Sequence, residues 1–440
     1  MAAMKNRLRS AVLTAVAVTT IGGLVTAQQF DSNQKSRAKQ MLDAIKLKIQ
    51  NTYYDPTFHG IDLNAKFKEA DQKLDGATSQ AFAYAVIAQT LLDFNDSHLF
   101  FIPPECPNKY EYGWSFGMVG DKCFVNAVKP GSDAERQGLK AGDQILQIEN
   151  LTPTRDSLWK IQYLYYALGP RASLRAVVQS PGGQPREVSF KAQITKKPEV
   201  QEISLEFLQQ FFDDEARETT VDASRTARVG DVAIWKLESF EIDPGVAERT
   251  FDSATKGAAG LVIDLRGDAG GLVVTLQRIV SRLFAKDVSI ATVKSRKSSK
   301  PLTASARKPV FGGKLVVIVD QGSASAAEVF ARTIQLEERG KVIGDQSAGA
   351  VMQAEPFQDV LEGLEGFIPY GASITDADLI IKDGKSLEHV GVTPDELTLI
   401  TGQDVAAGND PVLAHAVELA GGALDSAAAG KLFPVRWKKS

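Results

Sequence analysis

A serine stands in residues 314–331 where a strand pattern gives way to a helix pattern, a place and residue type that suit nucleophilic chemistry. An unbroken apolar run typical of a buried strand comes first, Gly322 permits a sharp turn, and the helical pattern begins at Ser325. An oxygen on such a turn lies beside free backbone N–H groups and the positive end of a helix dipole, which stabilise an oxyanion. A plain helix cap is the alternative, because Ser325 and Glu328 also have the spacing of a capping box.

A second apolar strand pattern ends in the glycine-rich turn of Gly260–Gly271 and leads into an apolar stretch over residues 272–284. Its glycines let the backbone approach a bound group closely. A dinucleotide-binding loop is the competing interpretation. The glycine spacing is not that of the dinucleotide fingerprint, and the chain lacks a Gly-x-x-x-x-Gly-Lys-Ser/Thr phosphate loop, so nucleotide binding is disfavoured.

Together, these two segments resemble the C-terminal processing (tail-specific) and tricorn-core family of serine peptidases. In that family one strand ends in Asp-Leu-Arg-x-Asn-x-Gly-Gly, and a later strand ends in a Gly-Ser-Ala-Ser-Ala-Ser-Glu turn whose middle serine is the nucleophile. The equivalents here are Asp264–Gly271 and Gly322–Glu328. The resemblance implies a Clp-protease/crotonase-like α/β core with its site at the ends of strands.

By that resemblance Ser325 is the nucleophile. The oxyanion hole would use the Ala326 amide together with that of Gly270 or Gly271. Two further residues of the nucleophile turn would support it, namely Ser323 and Glu328.

The general base departs from the best-known branch of the family, which places a lysine in a Thr-Phe-Gly-Lys-Gly segment after the nucleophile. The corresponding segment here is residues 344–350, and Ala350 stands at the lysine position. The nearest lysine, Lys341, belongs to the preceding strand. A Ser–Lys dyad is therefore not expected.

Histidine is the usual base for a serine because its pKa lies near neutrality, and the chain has four histidines. His98 is the best candidate, at the end of a helical pattern and the start of an apolar strand. The Ser–His–Glu branch of the family carries its histidine in an Asp-x-His segment, and its glutamate precedes Gly-Val-x-Pro-Asp. Residues 96–98 and Glu388 have these forms.

The resemblance implies that Glu388 holds the imidazole tautomer of His98 and stabilises the imidazolium. The alternatives are a histidine satisfied by a backbone carbonyl and an ordinary surface glutamate. His389 and Asp383 are competing candidates beside Glu388.

The N-terminus has the pattern of a signal peptide, with three basic residues ahead of an apolar, small-residue run over residues 10–27. Cleavage after Ala27 would leave a chain that begins at Gln28 and is exported to the periplasm or the cell exterior, with no stable membrane insertion. An uncleaved N-terminal membrane anchor is the alternative, because the run approaches the length that spans a bilayer.

Export permits a disulfide between Cys106 and Cys123, with two unpaired thiols as the alternative.

Length and composition are those of a multi-domain enzyme, with 440 residues, 44% hydrophobic residues and a net charge of −4. The chain has no basic stripe and no zinc-type Cys/His spacing, so neither nucleic acid nor a metal is expected. A serine-based mechanism needs no cofactor.

The predicted organisation is a signal peptide (1–27), an N-terminal helical segment (28–100), a PDZ domain (109–197), a peptidase core (200–402), and a C-terminal helix and tail (403–440).

The stretch Val128–Ile148 is closely similar to the centre of a PDZ domain. In such domains a peptide adds as a strand to a sheet edge, while backbone N–H groups hold its C-terminal carboxylate. The resemblance implies a carboxylate-binding loop formed by Gly113, Trp114, Ser115, Phe116 and Gly117. A PDZ-shaped spacer that binds no peptide is the alternative.

The resemblance therefore implies an exported serine endopeptidase that cleaves unfolded or C-terminally exposed polypeptides through a Ser325–His98–Glu388 triad and an acyl-enzyme. One alternative is a catalytically inactive peptidase-fold protein that binds peptides or small apolar ligands. Another is a hydrolase of small esters, which would not need the PDZ domain. Homo-oligomerisation is left open.

Overall fold

The computed structural model describes residues 30–197, 218–219, 222–363 and 366–438. The predicted signal peptide, residues 1–27, lies outside these ranges. Within them, no helix has both the length and the apolar character needed to cross a membrane.

A small helical segment opens the described chain. Its helices are α1 (Ser32–Thr52), α2 (Leu63–Asp75) and α3 (Gln80–Leu92), with a 3-10 turn at Phe58–Gly60. At the start of each α-helix a side-chain oxygen accepts a hydrogen bond from a backbone N–H of the first turn. The accepting side chains are those of Asp31, Asp62 and Ser79 respectively. The apolar faces of the three helices pack into one core, which agrees with the predicted N-terminal helical segment.

The PDZ-like region is an antiparallel five-stranded sheet in the order β3-β4-β5-β6-β7. The strands are β3 (Trp114–Val119), β4 (Lys122–Val128), β5 (Gln144–Ile148), β6 (Ser173–Gln179) and β7 (Arg186–Lys191). A separate ribbon pairs β2 (Asn108–Glu111) with β8 (Gln193–Lys196). The helices are α4 (Asp133–Arg136) and α5 (Leu158–Gln162), which continues as a π-helical turn at Tyr163–Leu168. In the described part of the chain β3 pairs only with β4, so its other edge is open.

The two cysteines do not form the predicted disulfide and are thiols. Cys123 lies on β4 and is 1% exposed, inside the PDZ core, where burial raises its thiol pKa. Cys106 lies outside that core, in the connection between the helical segment and β2. Their places on either side of the domain boundary account for the missing bridge.

The peptidase core is built on a six-stranded sheet in the order β18-β15-β14-β11-β10-β9, parallel except for β9. The strands are β9 (Ser224–Val229), β10 (Val232–Leu237), β11 (Gly260–Asp264), β14 (Lys314–Val319), β15 (Lys341–Gly344) and β18 (Glu396–Leu397). The central strands are almost wholly apolar because helices cover both faces of the sheet. One face carries α6 (Pro244–Thr255), α7 (Val273–Ser281) and α8 (Ala326–Leu336); the other carries α10 (Pro411–Leu419) and α11 (Ser426–Leu432). The short helix α9 (Gly402–Ala407) precedes α10.

A second sheet joins the helical segment to the peptidase core. It is formed by β1 (Phe100–Ile102), β12 (Val288–Ser295), β13 (Ser299–Ala304), β16 (Met352–Gly363) and β17 (Gly366–Ile381). Strand β1 pairs antiparallel with the long strand β17, which also pairs with β12 and β16. His98 comes two residues before β1, so this pairing brings a residue from the N-terminal part of the chain to the core.

Candidate active site

The serine and the glycine-rich turn meet at one edge of the parallel sheet. Ser325 follows β14 and Gly270 follows β11, and these two strands are parallel neighbours. Carboxyl ends of parallel strands open onto the same crevice, which is where α/β proteins place their ligands. A Cβ atom built on Gly270 would lie 2.7 Å from the Ser325 Cβ, so the backbone of this turn lies directly against the serine.

Ser325 has an uncommon backbone conformation, with φ 52° and ψ −116°, immediately before α8. Positive φ in a non-glycine residue is strained and persists only when its surroundings impose it. The Ser325 N–H donates to the Ala350 carbonyl at 2.9 Å and to Glu328 Oε2 at 3.1 Å. The N–H of Glu328 in turn donates to the Ser325 carbonyl at 3.0 Å, so the backbone of the turn is fixed on both sides.

Backbone N–H groups without acceptors lie beside the serine. Within the described ranges, neither the Ala326 N–H nor the Gly271 N–H has a hydrogen-bond acceptor. The Gly270 N–H, by contrast, donates to Asp268 Oδ1 at 2.8 Å. A Cβ on Gly271, whose φ is 137°, would meet the Glu241 nitrogen at 2.3 Å, so this position requires glycine. Of the three amides predicted for an oxyanion hole, those of Ala326 and Gly271 are available to a substrate oxygen.

His98 and Glu388 are joined through a serine that the sequence analysis missed. Ser97 Oγ lies 2.8 Å from His98 Nδ1 and 2.8 Å from Glu388 Oε2. The Ser97 N–H also donates to Glu388 Oε1 at 2.8 Å. An ionised carboxylate only accepts hydrogen bonds, so Ser97 donates to Glu388 and accepts from the Nδ1–H of His98. This tautomer leaves Nε2 of His98 free to accept a proton.

Burial lowers the pKa of His98, and the charges of Glu388 and Asp96 partly oppose that shift. Asp96 Oδ1 accepts the His98 N–H at 2.9 Å and the Thr375 hydroxyl at 2.7 Å. Tyr53 donates to the other oxygen of Asp96 at 2.9 Å. The histidine is therefore held in place by its backbone and is neutral near pH 7, the state that a general base needs.

Residues 350 and 351 connect the two halves of the site. The Ala350 carbonyl accepts the Ser325 N–H, and the N–H of Val351 donates to Glu388 Oε2 at 2.9 Å. The nucleophile turn and the acid are thus separated by one peptide unit of a shared segment. A series of hydrogen bonds thus runs from the Ser325 backbone through residues 350 and 351 to Glu388, Ser97 and His98, which come from three distant parts of the sequence.

The competing candidates have other partners. The Nε2–H of His389 donates to the Asn95 carbonyl oxygen at 2.7 Å, and the same nitrogen lies 3.3 Å from Glu388 Oε1. Asp383 pairs with Arg332 at 2.7 Å. Lys341 forms an ion pair with Glu396 on the far side of β15. None of these contacts involves Ser325.

Glu328 and Ser323 lie beneath the nucleophile turn. The buried Glu328 carboxylate accepts four hydrogen bonds, from the N–H groups of Ser325, Gly349 and Ala350 and from the Ser347 hydroxyl. Burial raises the pKa of Glu328 to about 7, and these donors act against that shift. Ser323 donates to the Leu265 carbonyl at 2.8 Å, which fastens the turn to the end of β11.

The PDZ region contacts residues 345–350, the supporting segment whose later residues hold Glu328, through one arginine. Arg155 donates to Asp345 Oδ2 at 2.9 Å, to the Gly120 carbonyl at 3.0 Å and to the Gln346 carbonyl. The Gly120 N–H donates to Asp345 Oδ2 at 2.7 Å. Ser347, Gly349 and Ala350 of this segment donate to Glu328, which supports the nucleophile turn. The Arg155 contact therefore connects the PDZ region to the residues that support Ser325.

The predicted carboxylate-binding loop is part turn and part strand. Gly113, with φ 80°, precedes β3, whereas Trp114, Ser115, Phe116 and Gly117 lie within it. A Cβ on Gly113 would lie 2.3 Å from the Ser132 Cβ, so only glycine fits there. The open edge of β3 borders a cavity of about 600 Å³ between the PDZ region and the peptidase core.

Comparisons with known proteins agree with this architecture. Residues 231–398 match peptidase family S41, and residues 107–157 match the PDZ domain. The chain is 25% identical over 335 residues to the carboxy-terminal processing protease CtpB of Bacillus subtilis (strain 168), covering 75% of this chain and 63% of that protein, less than two thirds of its length. It is 24% identical over 361 residues to the chloroplastic C-terminal processing peptidase of Tetradesmus obliquus, covering 79% and 74% respectively.

The crystal structure of mature CPAF has the same fold. It superposes with a TM-score of 0.63 at 14% identity, over 84% of this chain and 94% of that one. The predicted family resemblance and the predicted α/β peptidase core with a PDZ domain are confirmed. The chain is therefore similar to peptidase family S41 over residues 231–398 and to the PDZ domain over residues 107–157.

Proposed function

We propose that the chain is an exported serine endopeptidase that cleaves unfolded or C-terminally exposed polypeptides, with Ser325, His98 and Glu388 as its triad. The observation that carries the proposal is the hydrogen-bonded path from Glu388 through Ser97 to His98 Nδ1, one peptide unit away from the strained Ser325 turn. The path leaves the base nitrogen unprotonated. The two unpaired amides beside Ser325 complete the set of groups that acyl transfer needs.

In the acylation step, Ser325 Oγ attacks the scissile carbonyl carbon while His98 Nε2 takes the hydroxyl proton. The N–H groups of Ala326 and Gly271 stabilise the negative charge on the carbonyl oxygen. The imidazolium then gives its proton to the leaving amine, which departs and leaves an ester on Ser325. A water molecule, deprotonated by His98, hydrolyses that ester and restores the serine hydroxyl.

Glu388 acts on His98 through Ser97. As the imidazole gains a proton, the carboxylate stabilises the positive charge, and the Ser97 hydroxyl keeps the ring oriented by accepting from Nδ1–H. The backbone contact from Ser97 to Glu388 Oε1 fixes the acid in the same orientation. Ser97 therefore orients His98 directly, and Glu388 orients Ser97 through its side chain and its backbone N–H.

Polypeptides are the proposed substrates for two reasons. The relatives named above are C-terminal processing proteases, and PDZ domains accept peptide C-termini at a sheet edge. The open edge of β3 offers such a place. The signal-peptide pattern of residues 1–27 supports export, to the periplasm or the cell exterior.

Digestion of an unfolded protein by the chain from Gln28 onward tests the proposal. We expect cleavage by the parent and a loss of at least about a thousandfold in Ser325→Ala and His98→Ala. Lys341→Ala is the matched control, since Lys341 is an ion-pair residue away from the site, and it should retain activity. If no form cleaves while peptides still bind, the chain is a non-catalytic peptide-binding protein. Cleavage of small esters alone would make it an esterase.

A further inference from the structure

Two backbone amides at the beginning of the PDZ edge strand hold an internal carboxylate. The Tyr112 N–H donates to Glu218 Oε1 and the Gly113 N–H donates to Glu218 Oε2, each at 2.6 Å. The Tyr166 hydroxyl lies 3.5 Å from Oε1. Glu218 is only 6% exposed, so its carboxylate has lost most of its hydration. The two backbone N–H groups are the main hydrogen-bond donors that take the place of that water.

These amides are in the place where a peptide added to β3 would end. A strand that pairs antiparallel with β3 runs toward the beginning of β3, so its C-terminus arrives beside Trp114. The cavity along this edge is lined by β3 on one side and by Leu158, Gln162 and Tyr166 of α5 and its π-helical turn on the other. Glu218 itself lines the same cavity. The internal carboxylate therefore occupies the end of a groove that is otherwise open.

The Glu218 segment is tethered from below. Its carbonyl accepts the Lys438 N–H at 3.0 Å, and Thr219 forms an antiparallel bridge with Trp437. A tethered group has a high effective concentration at its site, because its binding is an intramolecular event. An incoming peptide therefore meets an occupied pair of amides.

We propose that Glu218 imitates a peptide C-terminal carboxylate and competes with substrate C-termini for the N–H groups of Tyr112 and Gly113. The inference rests on the proposed function, since it identifies the ligands of the groove as polypeptide chains with a free C-terminal carboxylate. It adds that binding requires the Glu218 side chain to leave. The groove is in equilibrium between a form closed by Glu218 and a form open to a peptide.

The charges around Glu218 favour such an exchange. Glu111 and Lys129 form an ion pair with each other at 3.4 Å, and their charges have opposite effects on the pKa of Glu218. Burial raises the pKa of Glu218 to about 7. A peptide terminal carboxyl, whose ordinary pKa is about 3.5, is ionised in water near neutrality, so the peptide brings to the groove a carboxylate of the same kind as that of Glu218.

Peptide binding in a Ser325→Ala background tests this competition without cleavage. The probe is a fluorescent peptide with an apolar last residue and a free C-terminal carboxylate, and a C-terminally amidated copy of it is the second probe. Adding Glu218→Gln or Glu218→Ala should tighten Kd for the free-carboxylate peptide by about tenfold, because the closed form is removed. The amidated peptide should bind weakly to every form. Glu187→Gln, an exposed glutamate on β7, is the matched control and should change nothing.

Two results would overturn the inference. One is an unchanged or weaker Kd in the Glu218 variants, which would make the residue a structural tie. The other is equal tightening for the free and amidated peptides, which would exclude the carboxylate as the competing group. If the Glu218 variants unfold, Lys438→Pro removes the N–H that donates to the Glu218 carbonyl, which loosens the tether without touching the two amides and should tighten free-carboxylate binding in the same direction. Binding measured this way is independent of catalysis, so a failed digestion would contradict only the proposed peptidase activity.

Discussion

Glu328 and Glu218 are two buried glutamates whose carboxylates are held mainly by backbone N–H groups. Around Glu328 the donors come from the nucleophile turn and from residues 347–350, deep in the peptidase core. Around Glu218 they come from two amides at the beginning of an edge strand. Burial raises the pKa of both to about 7.

The difference lies in what each carboxylate borders. Glu328 is fully enclosed and holds together two pieces of backbone that support Ser325. Glu218 borders a cavity of about 600 Å³ through which another carboxylate can reach the same amides. A buried carboxylate supports a site when its donors are enclosed, and it closes a site when those donors can be reached by another carboxylate. Glu328 should therefore be required for stability and activity, whereas Glu218 should be removable without loss of peptide binding.

Removing Glu328 should have the largest effect. Glu328→Ala leaves four donors without their acceptor, and a buried unsatisfied group costs about 1–3 kcal/mol. We expect the free energy of unfolding to fall by about 3 kcal/mol or more and kcat to fall at least about tenfold. Urea unfolding and steady-state kinetics measure both. Glu69→Ala, on the surface of α2, should stay within about 0.5 kcal/mol of the parent, and an equally small effect for Glu328→Ala would contradict its bracing role.

Removing the hydroxyl between acid and base should have the next largest effect. Ser97→Ala breaks the only side-chain link from Glu388 to His98 among the described residues, and we expect kcat/KM to fall by about tenfold to a hundredfold. Ser97→Thr keeps the hydroxyl and should recover most of the loss. Full activity in Ser97→Ala would show that the acid reaches the histidine without this bridge.

Cutting the contact between the PDZ region and the supporting segment should have a smaller effect. Arg155→Ala removes hydrogen bonds to Asp345 and to three backbone carbonyls, yet leaves every group of the proposed triad in place. We expect kcat to fall by about fivefold, which corresponds to about 1 kcal/mol, with little change in thermal unfolding of the PDZ region. Arg175→Ala, a partly exposed arginine on β6, is the control. Identical kinetics in the two variants would separate the PDZ region from the active site.

The smallest effect concerns pH. His98 must be neutral to accept the serine proton, and burial places its pKa below the ordinary value near 6.5. Activity should therefore persist through pH 6.5 and decline only as pH falls through the lowered pKa. A kcat/KM profile for a neutral peptide measures this limb. A midpoint above 6.5 would mean that the charge of Glu388 outweighs the burial of the histidine.

The sequence predicts the parts of this molecule that depend on local pattern. The apolar runs at 260–264 and 314–319 form buried parallel strands because both faces of the sheet are covered, and the glycine and serine turns follow them directly. The sequence pattern alone makes His98 a candidate base, whereas the role of Glu388 follows only from the family resemblance. Their meeting depends on the pairing of β1 with β17, which no local pattern specifies.

The features that the sequence could not predict are contacts between distant residues. Ser97 is identifiable only by its place beside His98, and its role emerges from a carboxylate 291 residues away. Arg155 and Glu218 give no local signal, because an arginine or glutamate in a connecting segment is ordinarily a surface residue. The disulfide prediction failed for the same reason, since cysteine count and compartment say nothing about which side of a domain boundary each thiol lies on.

A fluorophosphonate probe that labels activated serines tests the central claim most directly, read by intact mass and peptide mapping. We expect a single adduct on Ser325 in the chain from Gln28 onward. The adduct should be absent in Ser325→Ala, strongly slowed in His98→Ala and undiminished in Lys341→Ala. Labelling of Ser325 that is unaffected by His98→Ala but lost in Lys341→Ala would contradict a histidine-based triad and would return the base to a lysine.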